Sequence, residues 1–228
     1  MSPDQILVKI CFVMDCTASM QPWIHQAKTK TVELVDRVRE QNPNTHVLVG
    51  FVGYRDYGDA EQYIVIPFQD AKDTTAQISN VNAEGGDDQA EDIAHALHRA
   101  LHMDWRDAQV KIVFHIADAP AHGNAFHKLH VSDRFPRGDP HGLDPRDSVE
   151  RMSFSNIDYT FVRINDTTDT MIEQFHNCYG HGGMFSVIDL QSQGFAREYE
   201  LEDPVAVNEV MSCAVNRSIT NYRSSQES

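Results

Sequence analysis

Short apolar runs alternate with segments of helical periodicity along this chain, and the alternation constrains the fold more than any other feature. Residues 6–14 are almost entirely apolar, as expected for a strand buried on both faces of a sheet. Residues 22–40 then repeat apolar side chains at helical spacing. Further strands are predicted at 47–54, 63–68, 110–117, 157–164 and 184–190, and further helices at 74–81, 89–102, 168–178 and 204–219. The pattern predicts a doubly wound α/β fold with helices on both faces of a mostly parallel sheet.

The connection between the second and third predicted strands is short. Residues 55–59 are polar and include a glycine, which is typical of a hairpin, so one of these two strands is expected to be antiparallel at an edge of the sheet. The Arg55-Asp56 pair in this connection is expected to orient the loop as a surface ion pair, without a catalytic role.

One connection is far longer than the others. Residues 119–146 contain four prolines and three glycines and exceed the usual length of a loop in a compact domain. Because long loops on rigid scaffolds often carry recognition, this segment is expected to shape the choice of partner. Its histidines (His122, His127, His130 and His141) lack the spacing of a zinc motif, so solvated or locally hydrogen-bonded imidazoles are expected instead.

Length and charge limit the kinds of function. The 228 residues suit one domain, placed at 1–222 with a polar tail at 223–228. The net charge of −15 disfavours binding to nucleic acid or to anionic lipid, and favours cations and basic partners. No apolar stretch approaches the roughly 20 residues that span a bilayer, so membrane insertion is not expected.

The four cysteines indicate a reducing compartment. They are scattered, without a CxxC pair or the spacing of a zinc site. The N-terminal residues lack the basic and apolar regions of a signal peptide. We therefore expect a cytoplasmic location.

Oxygen-bearing side chains cluster where two predicted strands end. Asp15, Thr17 and Ser19 follow the first strand, and Asp118 follows the strand at 110–117. The carboxyl ends of neighbouring parallel strands meet at one edge of a sheet, where ligands bind at a switch in strand order. Carboxylates and hydroxyls form a hard oxygen site suited to Mg²⁺ or Mn²⁺. The alternative is that these residues only cap a helix and shape a turn.

These motifs resemble a known family. Asp-Cys-Thr-Ala-Ser-Met at 15–20 resembles the Asp-x-Ser-x-Ser metal-ion-dependent adhesion site (MIDAS) of von Willebrand factor A (VWA) domains. The stretches at 53–56, 85–92 and 117–123 are similar to the A-type domains that accompany atypical alpha-kinases. Residues 133–140 are similar to these domains as well. The resemblance extends over nearly the whole chain. It implies a Rossmann-like VWA fold and a divalent cation, Mg²⁺ or else Mn²⁺ or Ca²⁺.

The resemblance also implies the ligands of the ion. Thr17 and Ser19 would coordinate it through their hydroxyls, and Asp15 and Asp118 directly or through water. The remaining position, commonly threonine in adhesive members, would be Asp88, with Asp87 left possible; either could instead cap the next helix. An open coordination position would accept an Asp or Glu from a protein partner.

Two departures from the family pattern matter here. Thr17 in place of the first serine keeps the hydroxyl. Asp88 in place of threonine adds a third carboxylate, which leaves the site at −1 around a divalent ion. We therefore expect the ion to be held tightly and acidic ligands to be captured weakly, with a partner that is basic or binds outside the ion.

Three functions remain open from the sequence. The first is a metal-dependent protein-interaction module, without enzymatic activity, that regulates a larger protein. The second is a Mg²⁺-dependent phosphotransferase or phosphatase with an aspartyl nucleophile, although Thr17 replaces the second carboxylate that would act as acid and base. The third is a structural VWA domain without a metal-mediated ligand. The sequence leaves the partner and the oligomeric state open.

Overall fold

The computed structural model describes residues 5–191, 196–197, 200–201 and 204–227. Strands and helices alternate as the sequence predicts. The strands are β1 (Ile6–Asp15), β2 (Thr45–Tyr54), β3 (Tyr63–Gln69), β4 (Val110–Ala117), β5 (Asp158–Arg163), β6 (Phe185–Asp189), β7 (Ala196–Arg197) and β8 (Glu200–Leu201). The helices are α1 (Gln21–Gln41), α2 (Ala71–Ile78), α3 (Ile93–Leu101), α4 (Pro145–Phe154), α5 (Asp169–Cys178) and α6 (Pro204–Gln226), with short 3₁₀ turns at Ala18–Met20 and Asp166–Thr168.

Six strands form one sheet in the order β3-β2-β1-β4-β5-β6. β1 lies at its centre and pairs in parallel with β2 and with β4. β3 pairs with β2 in the antiparallel sense at one edge. The fold class and the single antiparallel edge strand are therefore confirmed.

Two hydrophobic cores cover the two faces of the sheet. Alternate residues of β1 point to opposite faces, so Ile10 and Phe12 belong to one core while Cys11 and Val13 belong to the other. Helices α1, α2 and α6 pack on the first face, and α3, α4 and α5 on the second. Helices thus cover both faces of the central strands. Polar groups can therefore lie at the carboxyl ends of these strands.

Helix α3 begins later than predicted. It starts at Ile93 instead of residue 89, and Asp92 caps it by accepting a hydrogen bond from the backbone amide of His95 (3.2 Å). The preceding residues are held outside the helix because their backbone amides pair with the long 119–146 segment. Gln89 and Ala90 donate to Ser132 O, both at 3.1 Å, and Glu91 donates to Pro120 O at 2.9 Å.

Helix α4 was not predicted. Asp144 accepts a hydrogen bond from the amide of Arg146 (2.9 Å) and caps the helix, and Pro145 occupies its first turn. The short β7–β8 pairing was also not predicted. Helix α6 continues to Gln226, so residues 223–226 of the predicted polar tail are helical. Within the described part of the chain, no helix is both long and apolar enough to cross a membrane.

Candidate metal-binding site

The carboxyl ends of β1 and β4 lie side by side at the switch in strand order. The chain leaves β1 towards α1 on one face and leaves β4 towards the long segment and α4 on the other. A cavity of about 460 Å³ opens at this edge. Its walls come from four loops and include Thr17, Ser19, Gly86, Asp87, Asp88, Glu91, Asp118, Ala119, Ser132, Asp166 and Thr167.

Asp15 is fully buried at the end of β1. Its Oδ1 accepts hydrogen bonds from the backbone amide of Thr17 (2.8 Å) and from the Thr17 hydroxyl (2.7 Å). Its Oδ2 is buried and has no hydrogen-bond partner among the described residues. Burial, followed by the charge of Asp118, raises the pKa of Asp15 to about 8. A group bearing positive charge or a proton would relieve this carboxylate.

Thr17, Ser19 and Asp118 line the cavity together. The Thr17 hydroxyl hydrogen is committed to Asp15, so the lone pairs of its oxygen remain available to a cation. Burial raises the pKa of Asp118, and a hydrogen bond from Ser19 opposes that shift. Asp118 Oδ1 is buried and also lacks a partner in the described part of the chain. The predicted meeting of these strand-end residues is seen; their ligation of a metal stays a prediction.

Glu91 is a third buried carboxylate at the site, and sequence reasoning missed its role. The residue is 2% exposed, and its Oε2 is unpartnered within the described ranges. Burial and the charges of Asp15 and Asp56 raise the pKa of Glu91 to about 11. In the helix predicted from residue 89, Glu91 would lie in the first turn, where acidic residues are common. Asp92, directly before the apolar periodicity that starts at Ile93, was the signal for a later helix start.

Asp88 lies on the side of the cavity towards the long segment. Its Oδ2 accepts a hydrogen bond from the backbone amide of Arg134 (2.6 Å). Burial raises the pKa of Asp88, and the neighbouring Asp56 adds to the shift. Asp87 is exposed and contacts the Arg134 guanidinium at 3.4 Å. Ligation of the ion by Asp88 stays a prediction, while Asp92, and neither Asp87 nor Asp88, caps α3.

Arg55 and Asp56 are buried, so the expectation of a surface ion pair was wrong. The Arg55 guanidinium donates to backbone carbonyls of three loops: to Cys16 (3.3 Å), Glu61 (2.6 Å) and Asn82 (2.8 Å). It therefore orients the loops around the site, as expected, and its charge opposes the rise in the pKa of Asp15. Asp56 pairs with His122 instead.

The long 119–146 segment is anchored by buried hydrogen bonds between histidines and aspartates. His122 lies between Asp56 (Nε2 to Oδ1, 2.6 Å) and Asp133 (Nδ1 to Oδ1, 2.8 Å). His127 Nε2 contacts the other oxygen of Asp133 at 2.9 Å. His130 and His141 are exposed, as expected for solvated imidazoles, and His122 and His127 are buried and hydrogen-bonded. The segment thus packs as part of the domain while Ala119 and Ser132 border the cavity.

Comparison with known proteins decides the family. The family model of the von Willebrand factor A domain matches residues 9–131, which include most of β1, all of β4 and the site residues Asp15, Thr17, Ser19, Asp88, Glu91 and Asp118. This chain belongs to the VWA family.

Relatives of this VWA domain differ in size and origin. It is 34% identical over 172 residues to the alpha-protein kinase vwkA of Dictyostelium discoideum, a match that covers 74% of this chain and 27% of that protein. The chain therefore spans about a quarter of the length of this curated relative.

Solved structures support the fold of the VWA domain. The pilus adhesin SpaC from Lactobacillus rhamnosus GG superimposes with a TM-score of 0.59 at 13% identity, covering 95% of this chain and 30% of that one. The SpRpn10 VWA domain superimposes with a TM-score of 0.52 at 12% identity, covering 80% and 88%. At such identities the likeness concerns the fold alone.

Proposed function

We propose that this VWA domain is a cation-dependent protein-interaction module. The observation that carries the proposal is a set of three buried carboxylate oxygens, Asp15 Oδ2, Asp118 Oδ1 and Glu91 Oε2, without partners among the described residues. A buried carboxylate is costly unless a proton, a positive group or a metal compensates it. An all-oxygen set fits a hard cation: Mg²⁺, or else Mn²⁺ or Ca²⁺.

The residues that would hold the ion are Asp15, Thr17, Ser19, Asp118 and Glu91. When bound, the ion supplies a Lewis-acidic position to which a partner's oxygen can coordinate. Asp15 fixes the Thr17 hydroxyl by its two hydrogen bonds. Arg55 ties the loop that follows β1 to two neighbouring loops, which limits rearrangement of the site on binding.

The charge around the ion favours a partner that presents basic groups. Three carboxylates around a divalent cation leave the site at −1, and Asp87, Asp88 and Asp166 add negative charge at the cavity wall. An incoming acidic side chain meets this charge, whereas a lysine or arginine beside the coordinating oxygen offsets it. In this proposal the third carboxylate at the ion is Glu91 and not Asp88. The net charge of −1 that was expected with Asp88 therefore applies with Glu91 in its place.

Catalysis by Asp15 is disfavoured by its surroundings. A nucleophilic carboxylate must reach its substrate, but Asp15 is fully buried and one of its oxygens is committed to Thr17. We therefore propose binding without enzymatic activity. Incubation with p-nitrophenyl phosphate and Mg²⁺ tests this directly, and turnover that Asp15→Asn abolishes would favour the phosphatase alternative.

The domain is proposed to act as a regulatory part of a larger protein. The kinase vwkA is several times longer than the segment it shares with this chain, which supports that view. All four cysteines are free thiols, in keeping with a proposed location in the reducing cytoplasm.

Calorimetric titration with Mg²⁺ and Mn²⁺ tests the ion site. Asp118→Ala and Thr17→Ala should each weaken cation binding at least tenfold, because each removes an oxygen from the set. Asp87→Asn, on the exposed rim, is the matched control and should bind normally. Capture of a partner from extract should fail with EDTA and with Asp118→Ala alike. Cation affinity that is equal in Asp118→Ala and the native chain would reject the site.

A further inference from the structure

A buried lysine interrupts the apolar run of the central strand. Lys9 lies in β1, is 7% exposed and faces the side of the sheet that α3 covers. Its ammonium donates to the backbone carbonyls of Asp104 (2.6 Å) and Arg106 (2.8 Å). These carbonyls are neutral, and no acceptor for the third N–H and no ion-paired carboxylate is found for Lys9 among the described residues. The positive charge is therefore buried without a counter-charge, which is costly.

Lys9 borders a cavity of about 570 Å³. The cavity lies past the end of α3, where the amino-terminal halves of β1 and β2 meet the edge strand β3. Six residues of β1 separate Lys9 from Asp15, or roughly 20 Å along the strand, so this cavity is remote from the candidate metal site. Its volume suits a small molecule.

Positive charge predominates around this cavity, although the domain as a whole carries −15. The basic residues that line it are Lys9, His98, Arg99 and His102. The described lining includes one carboxylate, Asp104, which the Arg106 guanidinium already binds at 2.7 and 2.8 Å. Two permanent positive charges and two imidazoles thus face the cavity without a free carboxylate to balance them.

The Arg99 guanidinium is held in place but not neutralised. Its central carbon lies 4.0 Å from the centroid of the Tyr63 ring, as a cation–π contact. In the part of the chain that the structure describes, its N–H groups donate to no acceptor, so they are available to an anion.

The two histidines of the cavity lie in a positive environment. Their ring centroids are 4.2 Å apart. Burial lowers the pKa of His98, and the charge of His102, followed by those of His95, Arg151 and Arg99, acts in the same direction. An anion between these groups would relieve their repulsion.

Compensation of the α3 dipole explains only part of this set. Basic side chains are favourable at the end of a helix, where carbonyls lack partners. His102 Nδ1 contacts the carbonyl of His98 (2.7 Å), and Lys9 binds carbonyls that follow the helix. Within the described ranges, however, the side chains of His98 and Arg99 bind no carbonyl. Half of the basic set therefore has no structural acceptor.

We propose that this cavity binds a small organic anion, a phosphate monoester carried on an apolar body. The charges of Lys9 and Arg99 would offset a phosphate dianion, and His98 and His102 can donate further hydrogen bonds to its oxygens. A single carboxylate would leave positive charge unbalanced. The apolar body would contact Val65, Pro67, Phe68 and Met103. Repulsion by the acidic remainder of the domain is screened beyond about 8 Å at physiological ionic strength.

Two-dimensional NMR of the ¹⁵N-labelled native chain tests the proposal. The ligand is phenyl phosphate, and inorganic phosphate and phenol represent its two halves. We expect saturable shifts in the amide signals of residues 65–68 and 98–104, with an affinity about tenfold higher than for either half. The affinity should be the same with Mg²⁺ and with EDTA, because the cavity is remote from the metal site.

Arg99→Gln is the primary variant, because Arg99 is exposed and its replacement should leave the fold intact. It should weaken the binding of phenyl phosphate about tenfold, by loss of charge-assisted hydrogen bonds. Arg137→Gln, at an exposed arginine of the long segment, is the matched control and should bind normally. Val65→Asp places a negative charge at the rim of the cavity, on a residue that is 48% exposed, and should abolish binding. Circular dichroism checks the fold of each variant.

Four outcomes would overturn the proposal. The first is an absence of saturable shifts with phenyl phosphate, and the second is equal affinity in Arg99→Gln and the native chain. The third is inorganic phosphate that binds as tightly as phenyl phosphate, which would mean that the apolar wall contributes nothing. The fourth is a set of shifts that requires Mg²⁺ and lies at the carboxyl ends of β1 and β4, which would place the phosphate on the ion of the first site.

Discussion

Glu91 combines deep burial with a carboxyl oxygen, Oε2, that has no hydrogen-bond partner among the described residues. Its pKa of about 11, against 4.5 for an ordinary glutamate, means that the metal-free fold keeps it protonated at neutral pH. A carboxyl whose pKa is higher in the folded than in the unfolded state makes the fold less stable as pH rises. That loss runs from about pH 4.5 to about pH 11.

Replacing Glu91 by Gln should therefore stabilise the metal-free domain above neutral pH. We expect a gain on the order of 1–3 kcal/mol in the free energy of unfolding, since the amide needs no proton to fold, whereas Glu91 is ionised in the unfolded chain and must take up a proton. The difference from the native chain should vanish near pH 4.5 and grow as pH rises. Urea unfolding in EDTA at several pH values measures it. Parallel pH profiles for the two proteins would show that Glu91 is not protonated in the fold.

His122 is a second group whose raised pKa makes the fold less stable as pH rises. Burial alone would lower its pKa, but the hydrogen bonds and charges of Asp56 and Asp133 outweigh burial and raise it. Its contribution is therefore complete below the ordinary histidine pKa of 6.5 and is lost as pH rises through the higher folded value. The same hydrogen bonds lower the pKa values of Asp56 and Asp133, so their contribution is lost in acid, below the ordinary aspartate pKa of 3.8.

His122→Gln should destabilise the domain by about 3–5 kcal/mol, because it leaves two buried carboxylates without their cation. The cost should be largest between about pH 4 and pH 6.5 and smaller above that window. Urea unfolding at pH 5.5 and pH 8.5 measures it, with the exposed His130→Gln as the matched control. A cost that is the same at both pH values would show that His122 is neutral in the fold.

Sequence reasoning found the residues whose position follows from a strand end. Asp15, Thr17, Ser19 and Asp118 could be placed together because parallel strands align their carboxyl ends. Glu91 and Asp56 could not, because their approach depends on how loops fold over the edge. The pairing of Asp56 with His122 spans 66 residues and has no local signature.

At the scale of elements, helix α4 was missed because its sequence lacks a clear apolar periodicity. Its sequence, PRDSVERMSF, contains few apolar residues, and it follows a proline-rich segment that reads as a loop. Its signal was the cap: Asp144 followed by Pro145 is typical of a helix start. The start of α3 was predicted too early for a different reason. The backbone amides before it donate hydrogen bonds to the long 119–146 segment and not to carbonyls of the helix.

Asp144→Ala should cost about 0.5–2 kcal/mol, the usual value of an N-terminal cap. Asp144→Ser keeps a capping oxygen and should recover most of this stability, since the partly exposed ion pair with Arg146 contributes little. Chemical unfolding of both variants at pH 7 measures the two values. If serine were no better than alanine, the ion pair and not the cap would hold the start of α4.

At the scale of the whole molecule, the alternation of elements indicated the class of fold but not the order of the strands. The position of β1 between β2 and β4 depends on long-range pairing, which the order of the elements along the chain does not specify. That order sets the switch point, and the switch point sets the site.

With a net charge of −15, this domain should respond to cations in two ways, and measurements of the melting temperature distinguish them. Monovalent salt screens general repulsion and should raise the melting temperature of all variants alike. A specific ion adds a stabilisation that follows from mass action, about 2.7 kcal/mol at a hundred times its dissociation constant, or about 5–11 °C for a domain of this size. At matched ionic strength, Ca²⁺ or Mg²⁺ should therefore raise the melting temperature of the native chain by several degrees, and Asp118→Ala by much less. Differential scanning fluorimetry with NaCl and with each divalent chloride measures both effects. Equal shifts with all salts at one ionic strength would mean that the cations only screen charge and that the site holds no ion.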